Sequence, residues 1–338
     1  MNDKTAYAGA APNSPDHTGA VPDSMDSTQQ PPPLDAIPPR RQANRAVAIL
    51  RLMTRDRLVL AALVFLAIVL LCALFGPMLI GDVATRPNFR ARNLAPFSMQ
   101  HGWAYVLGAD TLGRSLLARL IEGARNTIGI AACAVAVSML TGGALGLLAG
   151  YSRGFLSNLI MRLADIVMSF PSLLLALVVL FTLGPSITNL VIVLAITRIP
   201  IYLRTARAEV LEIRERMFVS AALSLGASHW RVLTRHIAPL AAPTLITIGA
   251  IDFATVVLAE SSLSFLGLGV QAPAFTWGSM VATGRGYLAN AWWIAFWPGL
   301  ALLLTTLSLS ILSNWVRMYG DPQQRWRIEL GPAKGKKQ

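Results

Sequence analysis

Charge is scarce in this chain. Asp, Glu, Lys and Arg make up 14% of its 338 residues, about half the share found in an ordinary soluble domain. Acidic residues are the scarcer sign, 17 against 29 Lys and Arg, which leaves a net charge of +12. Cysteine is nearly absent. Cys72 and Cys133 lie inside apolar blocks without metal-ligating neighbours, so they read as small buried apolar residues and leave the redox compartment open. Histidine is equally sparse. His17, His101, His229 and His236 never pair with Cys or a carboxylate at ligand spacing, and no metal site is expected. No G-x-S-x-G or H-E-x-x-H run occurs, so no catalytic residue can be named. The tail run Gly331–Lys337 (GPAKGKK) has the wrong glycine spacing for a phosphate loop and lacks the magnesium-binding Ser or Thr. Nucleotide hydrolysis by this chain is not expected.

What the chain has is hydrophobicity: 54% apolar residues and a mean hydropathy of +0.54. Long apolar blocks recur from 58 to 314. They are continuous rather than alternating, which excludes a β-barrel and implies an all-α polytopic membrane protein. Six spans are expected, at about 58–80, 126–150, 162–183, 186–203, 240–265 and 291–315. Basic residues cluster at the block edges, as at Arg153, Arg162, Arg204, Arg207, Arg231, Arg235 and Arg317. They read as topology signals and contacts to anionic lipid, not as a nucleic-acid surface. The Arg excess puts both termini, 151–161 and 204–239 on the cytoplasmic side, and 81–125, the Gly184–Pro185 turn and 266–290 outside. The outer loop 81–125 carries six Arg against this rule. The conflict eases if 111–125 is an amphipathic helix in the interface.

The expected organisation is a disordered cytoplasmic tail over 1–44, with no apolar core after its start to suggest a signal peptide. A region 45–125 follows, with the first span and an outer loop, its 45–57 segment a basic amphipathic helix on the inner surface. A core of five spans over 126–315 and a cytoplasmic tail over 316–338 complete it. In the second span Ala134, Ser138, Gly142, Gly146 and Gly150 recur every four residues. This strip lets another backbone approach closely, belonging to a partner subunit or to this chain. Asp165, Asp252 and Glu260 lie in or at the edge of spans, where a charge is costly and functional by default. Asp252 and Glu260 share a helix face. Either they line a hydrated path, or Asp252 pairs with an interior donor and Glu260 lies near the outer interface. An ion-driven secondary transporter would use such carboxylates, but no internal repeat supports it. An intramembrane enzyme lacks its residue set.

The inner loop holds the clearest constellation. In 219–240 (VSAALSLGASHWRVLTRHIAPL), Ala221, Ala222 and Leu225 form a short helical patch, Gly226 allows a turn, and helix resumes over 228–237 until Pro239. A helix–Gly–helix unit with small residues at its front suits insertion into a groove on another protein.

These residues resemble the permease subunits of binding-protein-dependent ABC importers, in the dipeptide, oligopeptide and nickel branch and of its C type. The family's Glu-Ala-Ala-x-x-x-Gly signature reads Ser220-Ala221-Ala222-Leu223-Ser224-Leu225-Gly226 here, with Ser220 for the usual Glu and Leu240 for the usual Asn after Pro239. LGADTLGRSLLARLIEGAR (107–125), DIVMSFPSLLLA (165–176), PIYLRTARAEVLEIRE (200–215) and ESSLSFLGLGVQAPAFTWGSM (260–280) are also similar to family segments, with Ala109 and Ser115 replacing Thr and Asp. The resemblance covers about 45–325. It implies a type I ABC importer permease fold with six spans in a bacterial inner membrane. It also implies half of a translocation pathway for di- and oligopeptides, nickel or another small solute. The implied partners are a homologous second permease, one or two ATPases that bind ATP and magnesium, and a periplasmic or lipid-anchored binding protein. Loop 204–239 becomes the coupling segment, with Ser220 as a helix cap and Arg231 and Arg235 as polar contacts on the ATPase. Gly267, Gly269 and Trp277 in the outer loop become contacts to the binding protein, with membrane anchoring the plainer role for Trp277.

Overall fold

The computed structural model describes residues 56–98 and 102–320. The tail 1–44, nearly all of 45–57, His101 and the tail beyond 320 lie outside the described residues. The longer helices are α1 (Arg57–Ile80), α2 (Leu116–Tyr151), α3 (Phe155–Met168), α4 (Ser172–Leu183), α5 (Ile187–Ile213), α6 (Met217–Ser224), α7 (His229–Phe265), α8 (Trp277–Gly284) and α9 (Trp293–Gly320). Among the described residues five are long and apolar enough to cross a membrane, or six when the bent pair α3–α4 is taken as one span. The chain is an all-α multi-pass membrane protein, as its composition required.

Span limits differ from the sequence reading where local chemistry or packing overrides hydropathy. The segment 111–125 is not a separate interfacial helix: most of it is the first turns of the 36-residue α2. Ser115 caps that helix by accepting from the Ala118 N–H at 3.2 Å, and nothing after it interrupts the ladder. The surplus Arg in the outer loop are partly neutralised where they stand. Arg114 Nε lies 2.7 Å from Asp110 Oδ2, and the Arg119 guanidinium sits 4.0 Å over the Phe275 ring. The third span is broken rather than continuous, with α3 and α4 meeting at 86°. Pro171 lacks an N–H and disfavours helical geometry at Phe170, so the ladder ends at Ser169. The helix α5 runs on to Ile213, into the expected inner loop. Pro239 does not stop α7 either. A π turn over Val232–Ile237 directly precedes it, and that widened turn makes room for a proline ring against the preceding carbonyls.

The glycine strip packs inside this chain. A methyl group on Gly142 would lie 2.6 Å from the Ile199 carbonyl, and one on Gly150 would lie 2.7 Å from Val210 Cβ. The bare faces of α2 thus let the α5 backbone approach to a distance that any side chain would prevent. Around this seam, Ile130, Ala134, Leu190, Leu194, Tyr202, Val256 and Leu263 form the main core. The cysteines are not core residues: Cys133 is exposed and Cys72 half-buried. A residue in an apolar span can face outward when its surroundings are lipid.

Candidate functional site

Two places carry the chemistry the sequence pointed to. The first is the inner loop. Helix α6 starts after Arg216, so Ser220 is an exposed residue of its interior and does not cap it. The cap in this loop is Ser228, which accepts from the Arg231 N–H at 3.4 Å. Val219 anchors α6 in a cluster with Val210, Ile213, Val232, Leu233 and Ile237. The opposite face is open. Met217 is 89% exposed and Leu225 88%, with Ser220 and Ala221 between them and Ala222 half-buried beneath. Large apolar side chains bared on the polar side of a membrane mark a protein contact.

The end of α6 is closed by two bonds: Gly226 N–H donates to the Leu223 carbonyl and Ala227 N–H to the Ala222 carbonyl, each at 3.0 Å. This Schellman pattern needs a left-handed residue, and Gly226 has φ +83°. Both ends of the loop are tied to the end of α2. Arg214 Nη1 donates to the Gly150 carbonyl at 3.1 Å, and Tyr151 Oη and His229 Nδ1 share a 2.6 Å hydrogen bond. The short helix is therefore fixed to the membrane core rather than hung on a slack loop. Arg231 and Arg235 are exposed beside it, and Pro239 is exposed near the start of α7.

The second place is the buried charge in the spans. Asp252 on α7 accepts from Tyr202 Oη on α5 at 3.1 Å and lies 3.5 Å from Arg198 Nη1. It thus meets interior donors. The sequence reading missed both partners, although Arg198 interrupts an apolar run facing a span with one Asp, which was the available signal. Glu260 is fully buried. Ser264 Oγ donates to it at 2.6 Å and Ser261 Oγ at 3.3 Å, in the last turns of α7 before its end at Phe265. Both carboxylates are enclosed by this chain. Asp165 instead forms an exposed 2.6 Å pair with Arg204.

On the outer side, Trp277 is neither a surface contact nor a membrane anchor. It is 2% exposed. Its indole N–H donates to the Leu120 carbonyl at 2.8 Å, and its backbone N–H donates to Thr127 Oγ1 at 3.1 Å. The capping box of Thr276 and Ser279 starts α8 here and turns the ring onto α2. Gly269 is also buried, tight against Ser264. Of the three expected outer residues, Gly267 alone is exposed, in a turn at φ +88°. Among the described residues, no group of His, Cys, Asp and Glu could hold a metal ion.

Residues 142–326 match the family described as binding-protein-dependent transport system inner membrane component. The di/tripeptide transport system permease protein DppC of Pseudomonas aeruginosa is 39% identical over 266 residues, covering 78% of this chain and 88% of the relative. The probable D,D-dipeptide transport system permease protein DdpC of Escherichia coli is 34% identical over 289 residues, 85% of this chain and 95% of the relative. The glutathione transport system permease protein GsiD of Pectobacterium atrosepticum is 32% identical over 274 residues, 81% and 89% of the two chains. The family match takes in α5, α6, α7 and the last span, and the chain belongs to the family of binding-protein-dependent transport system inner membrane components.

Proposed function

We propose that this chain forms one half of the translocation pathway of a peptide importer in a bacterial inner membrane, with both termini in the cytoplasm. A homologous permease supplies the other half. A periplasmic or lipid-anchored binding protein delivers cargo from outside, and one or two ATPase subunits drive the cycle from inside. ATP and magnesium bind those subunits, and this chain performs no hydrolysis. The relatives named for di/tripeptides, D,D-dipeptides and glutathione support short peptides as the cargo class.

The observation that carries this reading is the bared apolar face of α6, locked by the Gly226 turn and pinned to the core by Val219. In the cycle, closure of the ATPase dimer moves the docked α6 as a rigid body. Its ties to α2, α5 and α7 pass that motion to the spans. The driving energy is the differential affinity of ATP for the closed dimer. Gly267 remains a candidate contact to the binding protein, and Ala221, Ala222, Leu225, Arg231 and Arg235 contacts to the ATPase.

The test is purification of the tagged chain in mild detergent, with mass spectrometry of what accompanies it. A second permease and ATPase subunits are expected, and Ala221→Arg should release the ATPases while keeping the second permease. Recovery of the unaltered chain without ATPases, or ATPase retention undiminished in Ala221→Arg, would overturn the docking role.

A further inference from the structure

Arg198 lies about 17 Å along α5 from its outer end at Ile187, near the middle of a hydrocarbon layer about 30 Å thick. A guanidinium at that depth must be satisfied by protein, by water in a cavity or by a ligand, because lipid offers no acceptor. This chain satisfies it incompletely. Among the described residues its one ion contact is Nη1 to Asp252 Oδ1 at 3.5 Å, longer than an ordinary N–H···O hydrogen bond. Its Nε is enclosed with no acceptor among the described residues. The side chain keeps 16% of its surface open, against 7% for Asp252. Asp252 is in turn held by Tyr202. Asp252 is thus the enclosed and supported member of the pair, while the Arg198 guanidinium is under-used and its side chain partly open.

From this geometry we infer that Arg198 is a cargo-binding residue on the translocation path, taking a carboxylate, with Asp252 and Tyr202 as its positioning residues. The planar fork of an Arg suits two parallel N–H···O bonds to a carboxylate, and every ordinary peptide carries one at its C-terminus. Asp252 has a further use in this arrangement. A transport site is empty for part of each cycle, and a resident counter-ion keeps the guanidinium compensated when no cargo is there. A permanent ion pair with the second permease would not need it. The inference rests on the peptide reading above.

The experiment uses the full importer reconstituted in vesicles with its binding protein. It compares uptake of dialanine and of its C-terminal amide, each corrected for its measured affinity for the binding protein. In the unaltered complex, dialanine should be taken up faster. Arg198→Gln should cut dialanine uptake at least tenfold, lower amide uptake by less, and so abolish the preference. Arg198→Lys, which keeps the charge but not the fork, should fall between. Equal losses for both cargos, or no loss for either, would overturn the assignment. Position is checked separately with Arg198→Cys in a Cys72→Ser, Cys133→Ser background, using a membrane-impermeant thiol reagent with and without trapped nucleotide. Labelling in one of these states is expected, and absence of labelling in both would remove Arg198 from the path whatever the cargo. If the Arg198→Cys complex labels in this way but the unaltered complex moves neither peptide, the peptide reading has failed and the peptide carboxylate fails with it.

Discussion

Replacing Gly146 by Ala adds one methyl group at the tightest part of the α2–α5 seam. The new carbon would overlap the Leu203 carbonyl oxygen and lie 2.6 Å from Ala206 Cβ. Contacts of that kind need well over 3 Å, so the helices must separate by roughly 1 Å, a shift that close-packed interiors resist. Overpacking costs about 1–3 kcal/mol, and the rigid backbone neighbour argues for the upper half of that range. The higher helix propensity of Ala returns at most about 1 kcal/mol, so the net effect should be a destabilisation of about 1–2 kcal/mol. Gly129 is the internal control. It lies on the same helix with nothing near its added methyl, so Gly129→Ala should be neutral or stabilise by up to about 1 kcal/mol. Unfolding of the purified chain in mixed micelles of mild detergent and increasing dodecyl sulfate, followed by tryptophan fluorescence, reads both variants. If Gly146→Ala unfolds at or above the midpoint of Gly129→Ala, the glycine strip does not serve internal packing and the close α2–α5 seam is wrong.

Other substitutions probe the two ends of the molecule. Gly226→Ala forces a Cβ into a left-handed turn at a cost of about 1–2 kcal/mol; it should loosen α6 and lower transport-coupled ATP hydrolysis more than chain stability, and equal coupling in the reconstituted importer would contradict the rigid-helix argument. Trp277→Phe keeps most of the ring but loses the bond to the Leu120 carbonyl, so a loss of about 1 kcal/mol is expected, measured by the same micelle titration. Ser220→Glu restores the family's usual residue at an exposed position, and the complex should assemble with its ATPases in unchanged yield. Loss of assembly would mean that the partner groove is fitted to Ser.

Which features were readable in advance follows from the range of the forces behind them. Hydropathy acts over a whole segment, so apolar blocks and Arg-rich edges predicted an all-α multi-pass chain and the number of spans. Turn chemistry acts over a few residues, so Gly226 announced the end of α6. Side-chain direction is set by packing between distant segments and was not readable. The strip from Ala134 to Gly150 is equally smooth whether it meets a partner or this chain, and only the approach of α5 decides. Trp277 reads as an interfacial aromatic until the start of α8 turns it onto Leu120 and Thr127. Asp252 reads as a lone intramembrane charge until folding brings Arg198 and Tyr202 against it from α5. Composition alone determined that this chain lives in a membrane, because transfer of apolar surface is additive along the sequence. The inward turn of Trp277 and the pairing of Arg198 with Asp252 were decided only by tertiary structure, because each depends on which helix lies alongside.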